Sequence, residues 1–415
     1  MLTEDDLAAK VAQAFGEQAS RGPAADIDAA RIFRRGRRRR RRQIATGAVS
    51  VTAAVGLAAG LLIAGSGPTS PMQVAQSPTH ASATPTESAQ SRAGQLPGNT
   101  LLDAKIAPAL SAAAAEAGMP KFYIVSAPDA LTTNALQVRS SATGKVISSV
   151  AQPAGCVTST YQITTPSSER DFYVSCLTTS HKAAFYRLRI SAQGAITAVA
   201  SLPIPAPPAQ FVTGLAISPD GSKLAIGLEG SRTDKATIEL VTLATGATRI
   251  WAGPHMDHPA DLTWTSDGRK LGFWSWGLRV LDVTAPGTNL ASARLVLSIF
   301  HAADLVQDAM LSPDGATIVA NVSYTKHVQM SRNAVIGGIV EIDARTGKPL
   351  RTLIAQHPQT NGSGRGWYVT PFELGAIDST GNHLLVASHK FGRLDRGRFT
   401  ALPGDKDQVS FASAW

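Results

Sequence analysis

A short motif, Ser-Pro-Asp-Gly between two strand-like runs, recurs in the second half of this 415-residue chain. It occurs at 218–221 and 312–315, returns as Thr-Ser-Asp-Gly at 265–268, and is degraded to Asp-Ser-Thr-Gly at 378–381. Proline presets φ near −65° and glycine adopts positive φ, so each copy predicts a tight turn between two antiparallel strands. An apolar residue lies four positions before each turn glycine and another lies three positions after it, so the strands recur in register with the turns.

A second set of glycines, each between two strand-like runs, is spaced by 50, 52, 41, 60 and 57 residues. The set is Gly144, Gly194, Gly246, Gly287, Gly347 and Gly404. Four short strands per period of this length are typical of a β-propeller blade, and blades must stack around an axis because one small sheet cannot bury both faces. We therefore predict an all-β chain in which 121–415 form a propeller of six blades, with seven as the alternative. The last strand, predicted at Val409–Ala412, is expected to close the ring on the first blade, which lacks the turn motif.

The chain before the repeats has the composition of a membrane anchor. Residues 1–43 combine a short amphipathic helix with nine arginines between 31 and 42, and 44–64 contain no charged residue over 21 positions. Such a span can cross a bilayer, and a basic flank is typical of the cytoplasmic side. We expect a single pass through the cell membrane, the amino terminus in the cytoplasm and the propeller outside; a cleaved signal peptide is the alternative. Residues 65–100 predict a Ser/Thr/Pro-rich stalk, and 101–120 a short capping helix.

The basic composition is concentrated in the amino-terminal segment. Residues 1–43 hold 11 Lys+Arg and 6 Asp+Glu, a net of +5, whereas the rest hold 28 and 24, a net of +4. The propeller is therefore not expected to bind nucleic acid.

The repeats from about 120 to 415 resemble WD-repeat-like units of TolB-type propellers. The whole layout of arginine run, apolar span, polar stalk and propeller is similar to bacterial membrane-anchored TolB-like or WD-repeat-like proteins. This resemblance implies the fold and the anchored arrangement, but one fold hosts many activities.

The two cysteines, Cys156 and Cys176, flank a predicted hairpin whose strands are Val157–Thr164 and Asp171–Val174. Their midpoint falls in the turn region, so we expect them opposite each other on paired strands. An oxidising compartment beyond the membrane would allow a structural disulfide.

Sequence motifs for catalysis are lacking. There is no Gly-x-Ser-x-Gly elbow, phosphate loop or dinucleotide fingerprint, and His255-Met256-Asp257-His258 offers too few ligands for zinc. We predict no catalytic residue, metal or cofactor. The aspartates and glycines of the repeats are interpreted as turn formers that bond local amides. This structural set is Asp220, Gly221, Asp267, Gly268, Asp314, Gly315 and Gly381.

Propeller connectivity predicts a candidate ligand face. The short turns share one face of the ring, so the longer and more varied links open on the other. Those links mix aromatic and cationic side chains, which suit an anionic or sugar-bearing ligand or a protein patch. The candidate residues are Tyr324, Lys326, His327, Arg332, Arg365, Trp367, Tyr368, His389, Lys390 and Arg393.

The leading functional hypothesis is a non-catalytic, membrane-anchored extracytoplasmic binding module for a protein or cell-envelope ligand. One alternative is a transmembrane regulator that signals through 1–30 to a cytoplasmic partner. The other is an extracytoplasmic propeller enzyme of the lactonase or hydrolase kind with a metal on the axis.

The anchor hypothesis predicts the activity of reporter fusions. Alkaline phosphatase fused after residue 100 should be active because it lies outside the cytoplasm, whereas the same enzyme fused after residue 43 should be inactive. An inactive fusion after residue 100 would contradict the anchor, and release of a soluble propeller would favour a cleaved signal peptide.

Overall fold

A computed structural model describes residues 101–402 and 413–414 apart from short internal stretches. Those stretches are 109–110, 112–117, 129–133, 152, 154, 167–169, 181, 206–209, 231–234, 255–257, 302–303, 325–336, 358, 361–366, 369–371 and 389. The expectations for 1–43, 44–64 and 65–100 therefore concern residues outside the described part of the chain. Among the described residues, none belongs to a helix with the length and apolarity that a membrane span requires.

The described strands form six blades. Blade 1 contains β1 (Phe122–Pro128), β2 (Asn134–Ser140) and β3 (Val146–Ala151), and blade 2 contains β4 (Cys156–Thr164), β5 (Asp171–Thr178), β6 (Ala183–Ile190) and β7 (Ile196–Ser201). Blade 3 contains β8 (Gln210–Ile217), β9 (Lys223–Gly230), β10 (Lys235–Thr242) and β11 (Thr248–Pro254), and blade 4 contains β12 (Ala260–Trp264), β13 (Lys270–Trp274), β14 (Gly277–Asp282) and β15 (Arg294–Ser298). Blade 5 contains β16 (Phe300–His301), β17 (Asp304–Leu311), β18 (Thr317–Tyr324), β19 (Gly337–Asp343) and β20 (Pro349–Gln356). A two-stranded hairpin of β21 (Gln359–Thr360) and β22 (Trp367–Tyr368) precedes blade 6, which contains β23 (Glu373–Ile377), β24 (His383–Ala387), β25 (Phe391–Asp395) and β26 (Arg398–Ala401). The last strand, β27 (Ser413–Ala414), belongs to blade 1, and two 3₁₀ helices lie at Leu101–Asp103 and Leu290–Ser292.

The innermost strands of the blades make a closed ring. Strands β4, β8, β12, β17 and β23 contact one another in that order, and β27 lies between β23 and β4. The six-bladed propeller predicted from the repeats is thus confirmed. We call the end of the ring with the Ser-Pro-Asp-Gly turns the turn end. The opposite end, which carries the links between second and third strands and between blades, is the loop end.

Ring closure depends on the last strand of the chain. β27 pairs antiparallel with β1, with Ala414 opposite Ile124 and Ser413 opposite Val125. The strand therefore lies just beyond the predicted 409–412. Because the chain enters blade 1 at its second strand, no turn joins the first two strands of this blade, which explains the missing motif.

The outer hairpin of blade 6 turns at a glycine other than the one predicted. Arg396 and Gly397 have φ of 39° and 90° between β25 and β26, which suits a two-residue hairpin loop with positive φ at both positions. The assignment of this turn to Gly404, which lies outside the described residues, was wrong. The cause is that 391–395 form a strand although their composition is typical of a loop.

The core lies between neighbouring blades. Trp251 and Trp264 pack in one cluster with Leu271 and Phe273 between blades 3 and 4, and Trp274 packs between blades 4 and 5. All three tryptophans are less than a tenth exposed. Each blade therefore buries its apolar faces only against the next blade.

A segment ahead of blade 1 runs along the side of the ring. The Leu101 amide donates to Asp304 Oδ2 at 2.6 Å, at the start of β17 and hence at the loop end. Further along, Thr352 donates its amide to Lys105 and accepts from the Ala107 amide at 2.8 Å. These bonds place 105–107 parallel to β20 at the edge of blade 5. Most of the alanine-rich run expected to be helical, 107–116, lies outside the described residues.

The predicted disulfide joins Cys156 to Cys176, with Cα atoms 5.7 Å apart. The prediction of the bond is confirmed, but the expected register was wrong. Cys156 pairs with Thr178 rather than with Cys176. The reason is the position of the turn: Thr164 pairs with Tyr173, so the centre of the hairpin lies beyond the midpoint of the two cysteines. The irregularity in β4 between Val157 and Gln162 offsets only part of this difference.

Replacing both cysteines with alanine should lower the free energy of unfolding by about 3 kcal/mol, because the bond closes a loop of roughly 20 residues in the unfolded chain. Urea unfolding of the full chain with and without dithiothreitol would measure this. The reductant should destabilise the parent protein and leave the double variant unchanged. Equal stability of the two oxidised proteins would contradict the prediction.

Candidate functional site

The turn of blade 3 at the turn end is stabilised by a serine–aspartate pair. In blade 3 the Ser218 hydroxyl donates to Asp220 Oδ1 at 2.6 Å, and the Ser222 amide donates to the same oxygen at 3.0 Å. The Lys223 amide donates to Ser218 Oγ at 2.9 Å. The Ser218 hydrogen bond and those from Ser222 lower the pKa of Asp220 to about 2, so this carboxylate is ionised at neutral pH.

Blades 4 to 6 repeat this arrangement with substitutions. Thr265 donates to Asp267 at 2.6 Å, and this bond lowers the pKa of Asp267. Ser312 and Asp314 form the corresponding pair in blade 5. In blade 6, Asp378 takes the serine position and accepts from the His383 amide at 2.8 Å.

Neighbouring turns contact one another around the axis. The Ser266 amide donates to the Pro313 carbonyl at 2.6 Å. A Cβ on Gly381, whose φ is +74°, would lie 3.4 Å from the Pro313 ring. The turns of blades 4, 5 and 6 therefore form a joined rim, and the glycines permit both the turn geometry and the close approach.

The inner strands of blades 2 to 6 share an irregularity near mid-strand, where the pairing register shifts. In β8 the bulged residue is Thr213, whose hydroxyl donates to the Pro259 carbonyl at 2.6 Å and so ties blade 3 to blade 4. In β12 the bulge includes Asp261, a non-glycine residue with φ of 51°. Bulges redirect side chains, and here they lie along the ring axis.

A cavity of about 390 Å³ lies on the axis inside the rim. Its walls come from β4, β8, β12, β17 and β23. Its mouth is formed by the turn residue of each blade, with Pro120 at the place of the turn that blade 1 lacks. The mouth residues are Pro120, Pro166, Pro219, Ser266, Pro313 and Ser379.

The cavity combines apolar walls with few charges. Leu215, Ile217 and Ile377 line it together with polar Gln162. Among the described residues that line it, Asp261 and Asp378 are carboxylates and none is Lys, Arg or His. Asp378 is held in its turn, with Oδ1 bonded to the His383 amide and Oδ2 to Thr380.

In the described part of the chain, no three His, Cys, Asp or Glu side chains lie close enough together to bind a metal ion.

Half of the residues of the ligand face predicted from sequence lie outside the described part of the chain. Tyr324 ends β18, whereas Trp367 and Tyr368 form β22, in the link from blade 5 to blade 6. Lys390 is exposed between β24 and β25. Lys326, His327, Arg332, Arg365 and His389 are not described. The described residues of this set belong by connectivity to links at the loop end, and the role of the whole set stays a prediction. Trp276, 43% exposed in the link of blade 4, also belongs to this end.

Arg393 does not belong to an exposed loop as expected. It lies within β25 and is 6% exposed. Its Nε donates to Asp395 Oδ2 at 2.8 Å, and its Nη1 donates to the Ser141 carbonyl of blade 1 at 2.7 Å. His383 Nδ1 lies 2.8 Å from the other Asp395 oxygen. Arg393 therefore bridges the seam between blades 6 and 1.

Known proteins resemble the chain in fold alone. No protein-family model matches it, and no curated protein matches its sequence. A chain of Kuenenia stuttgartiensis hydrazine synthase aligns over 70% of this chain and 80% of its own length, with 16% sequence identity and a TM-score of 0.40. The β-propeller domain of Swd1 from Myceliophthora thermophila aligns over 69% of this chain and 83% of its own length, with 10% sequence identity and a TM-score of 0.38. A prolyl endopeptidase aligns over 59% of this chain with 14% sequence identity and a TM-score of 0.33. The match spans only 43% of the length of that enzyme.

Sequence reasoning missed the axial cavity and Asp261. One signal was present: the seventh residue before the turn glycine is Gly214, Asp261 and Asp308 in successive blades. A polar or glycine position in an otherwise apolar inner strand is unusual for a core strand, and it coincides with the bulges.

Replacing Arg393 with methionine should destabilise the protein by about 3–5 kcal/mol, because it leaves the buried Asp395 carboxylate without its cation. The matched control is Arg189→Met, which removes a cation whose side chain is 55% exposed and paired with Asp171; it should cost less than about 1 kcal/mol. Thermal or urea unfolding measures both. Similar losses for the two variants would contradict a stabilising role for the seam pair.

Proposed function

We propose that this chain is a binding module whose ring holds a ligand, or a segment of a partner, in the axial cavity at its turn end. The observation that carries the proposal is the convergence of five inner strands on a cavity with a joined rim. Its volume of about 390 Å³ falls within the range of small-molecule sites, roughly 300–1,000 Å³.

Preorganisation supports this proposal. The rim turns are fixed by the Ser218–Asp220 type of pair and by the bond from Ser266 to Pro313. A rigid mouth loses little conformational freedom when it binds, so more of the contact energy contributes to affinity.

The position of the amino-terminal segment fits an anchored form of this module. In the proposed arrangement, 44–64 cross the lipid bilayer, 65–100 act as a stalk and the propeller lies outside the cell membrane, as in the TolB-like layout that the sequence resembles. Leu101 joins the ring at the loop end through Asp304. The stalk would then approach the loop end and leave the cavity mouth accessible.

Binding at the cavity predicts a thermal shift that depends on an open mouth. The full chain would be tested against a panel of sugars, amino acids, amines and carboxylates by differential scanning fluorimetry. At least one class should raise the melting temperature of the parent protein. Ser266→Trp combined with Ser379→Trp should abolish that shift, because both exposed side chains line the mouth.

Gln193→Trp is the matched control, because it places an equal bulk in an exposed turn at the same end but off the axis. It should keep the shift. If the double variant responds as the parent does, or if no panel member binds, the cavity is not the site and the proposal fails.

A further inference from the structure

We infer that two copies of this chain form a two-fold dimer through the outer edge of blade 2, with β7 of one copy paired antiparallel to β7 of the other. This inference does not depend on the proposed binding function, because the outer edge of a blade lies on the outside of the ring, away from the axial cavity.

The first argument is the composition of the outer strands. β3 and β7, the outer strands of blades 1 and 2, contain no charged residue and no proline. Each of the other four blades has an arginine in its outer strand. These arginines are Arg249 in β11, Arg294 in β15, Arg351 in β20 and Arg398 in β26. Charges and prolines on an exposed edge strand prevent association with other strands, so two neighbouring blades lack this protection.

The second argument is that β7 presents an open edge. Two other outer edges are covered by the chain itself, because Ile106 bridges to Thr352 in β20 and Asn289 bridges to Ala252 in β11. In the described part of the chain, no segment pairs with the outer edge of β7. Five of its six residues are exposed and none is buried.

The backbone of β7 directs hydrogen-bonding groups outward. The Leu202 amide donates to the Phe185 carbonyl, which continues the pairing of β7 with β6. Since the residues of an antiparallel ladder alternate in direction, Ala200 also points its N–H and C=O towards β6. Val199 and Ser201 occupy the alternate positions, so their backbone groups point away from the blade and suit a further strand.

A second copy of the chain suits this edge because the edge is compatible with itself. A two-fold axis at Val199 would place this residue opposite its mate and Ser201 opposite Thr197 of the other copy. No like charges meet in this pairing, because β7 has none, whereas the arginine strands of the other blades would repel their own copies. A two-fold interface requires such a self-complementary patch.

The neighbouring blade extends the surface. The Ser148 hydroxyl in β3 donates to the Gly194 carbonyl, in the turn before β7, at 2.7 Å. The exposed side chains of Val146 and Ile147 in β3 therefore lie beside the same edge as Val199. These three residues are 40–48% exposed, and they add apolar contact area to the strand pairing.

Sedimentation velocity of the full chain in mild detergent, over a range of micromolar concentrations, tests the inference. The parent protein should form dimers. Val199→Lys should weaken the dimer by at least about a hundredfold, because two like charges would face each other across the axis. Ile250→Lys is the matched control, since Ile250 is also an exposed β-branched residue of an outer strand, but lies in blade 3. It should leave the dimer constant within about twofold.

Cross-linking tests the register without adding charge. The chain has only two cysteines, which are joined to each other, so Val199→Cys supplies a single free thiol. Residues directly opposite on paired strands have Cβ atoms about 5 Å apart. A short bismaleimide should therefore link two Val199→Cys chains and leave Ile250→Cys as monomers.

The inference is overturned if the parent protein is monomeric at every concentration, in which case a different chain is the only remaining partner for this edge. It is also overturned if Val199→Lys dimerises as the parent does, or if the two cysteine variants cross-link equally. A folded Val199→Lys monomer, with the melting temperature of the Ile250→Lys control, supports it.

Discussion

Closure of the ring is the constraint on which the rest of the structure depends. Each blade is a sheet of four or five strands that buries its faces only against its neighbours, so an open ring would expose apolar surface on two blades. The strand that closes it, β27, contributes two residues to the pairing with β1. The seam is reinforced by the buried Arg393–Asp395 pair, in which Arg393 reaches the Ser141 carbonyl across it, and by a tilted ring contact between Tyr123 and Phe391.

Much of the fold was predictable because local chemistry repeats. The turn motif predicts both flanking strands, since proline, aspartate and glycine each have a defined place in the turn. The disulfide followed from two cysteines on one hairpin. The failures occurred where a local pattern is overridden by its context. The hairpin of β4 and β5 is centred beyond the midpoint of the two cysteines, which changes their register, and a strand of Phe-Gly-Arg-Leu-Asp was interpreted as a loop around Arg393.

The candidate site was harder to predict because no single segment contains it. Gln162, Leu215 and Asp261 come from three blades and meet only when the ring closes. The orientation of Asp261 depends in addition on a bulge with left-handed φ, which follows from pairing with β13 rather than from the residue itself. Sequence reasoning therefore favoured the varied loops, where aromatic and basic residues are visible in a linear reading, and assigned the turn end a structural role alone.

The route of the amino-terminal segment has a mechanical consequence. The segment is attached first to blade 5, through Leu101 on Asp304 and the backbone bonds of Thr352, and only afterwards continues into β1. A pull on the chain ahead of Leu101 is therefore borne by hydrogen bonds on blade 5, several of which resist it together. Tension from a tether would reach the closing strands only after those bonds had broken. The pairing of β27 with β1 is in this way kept out of the path of force.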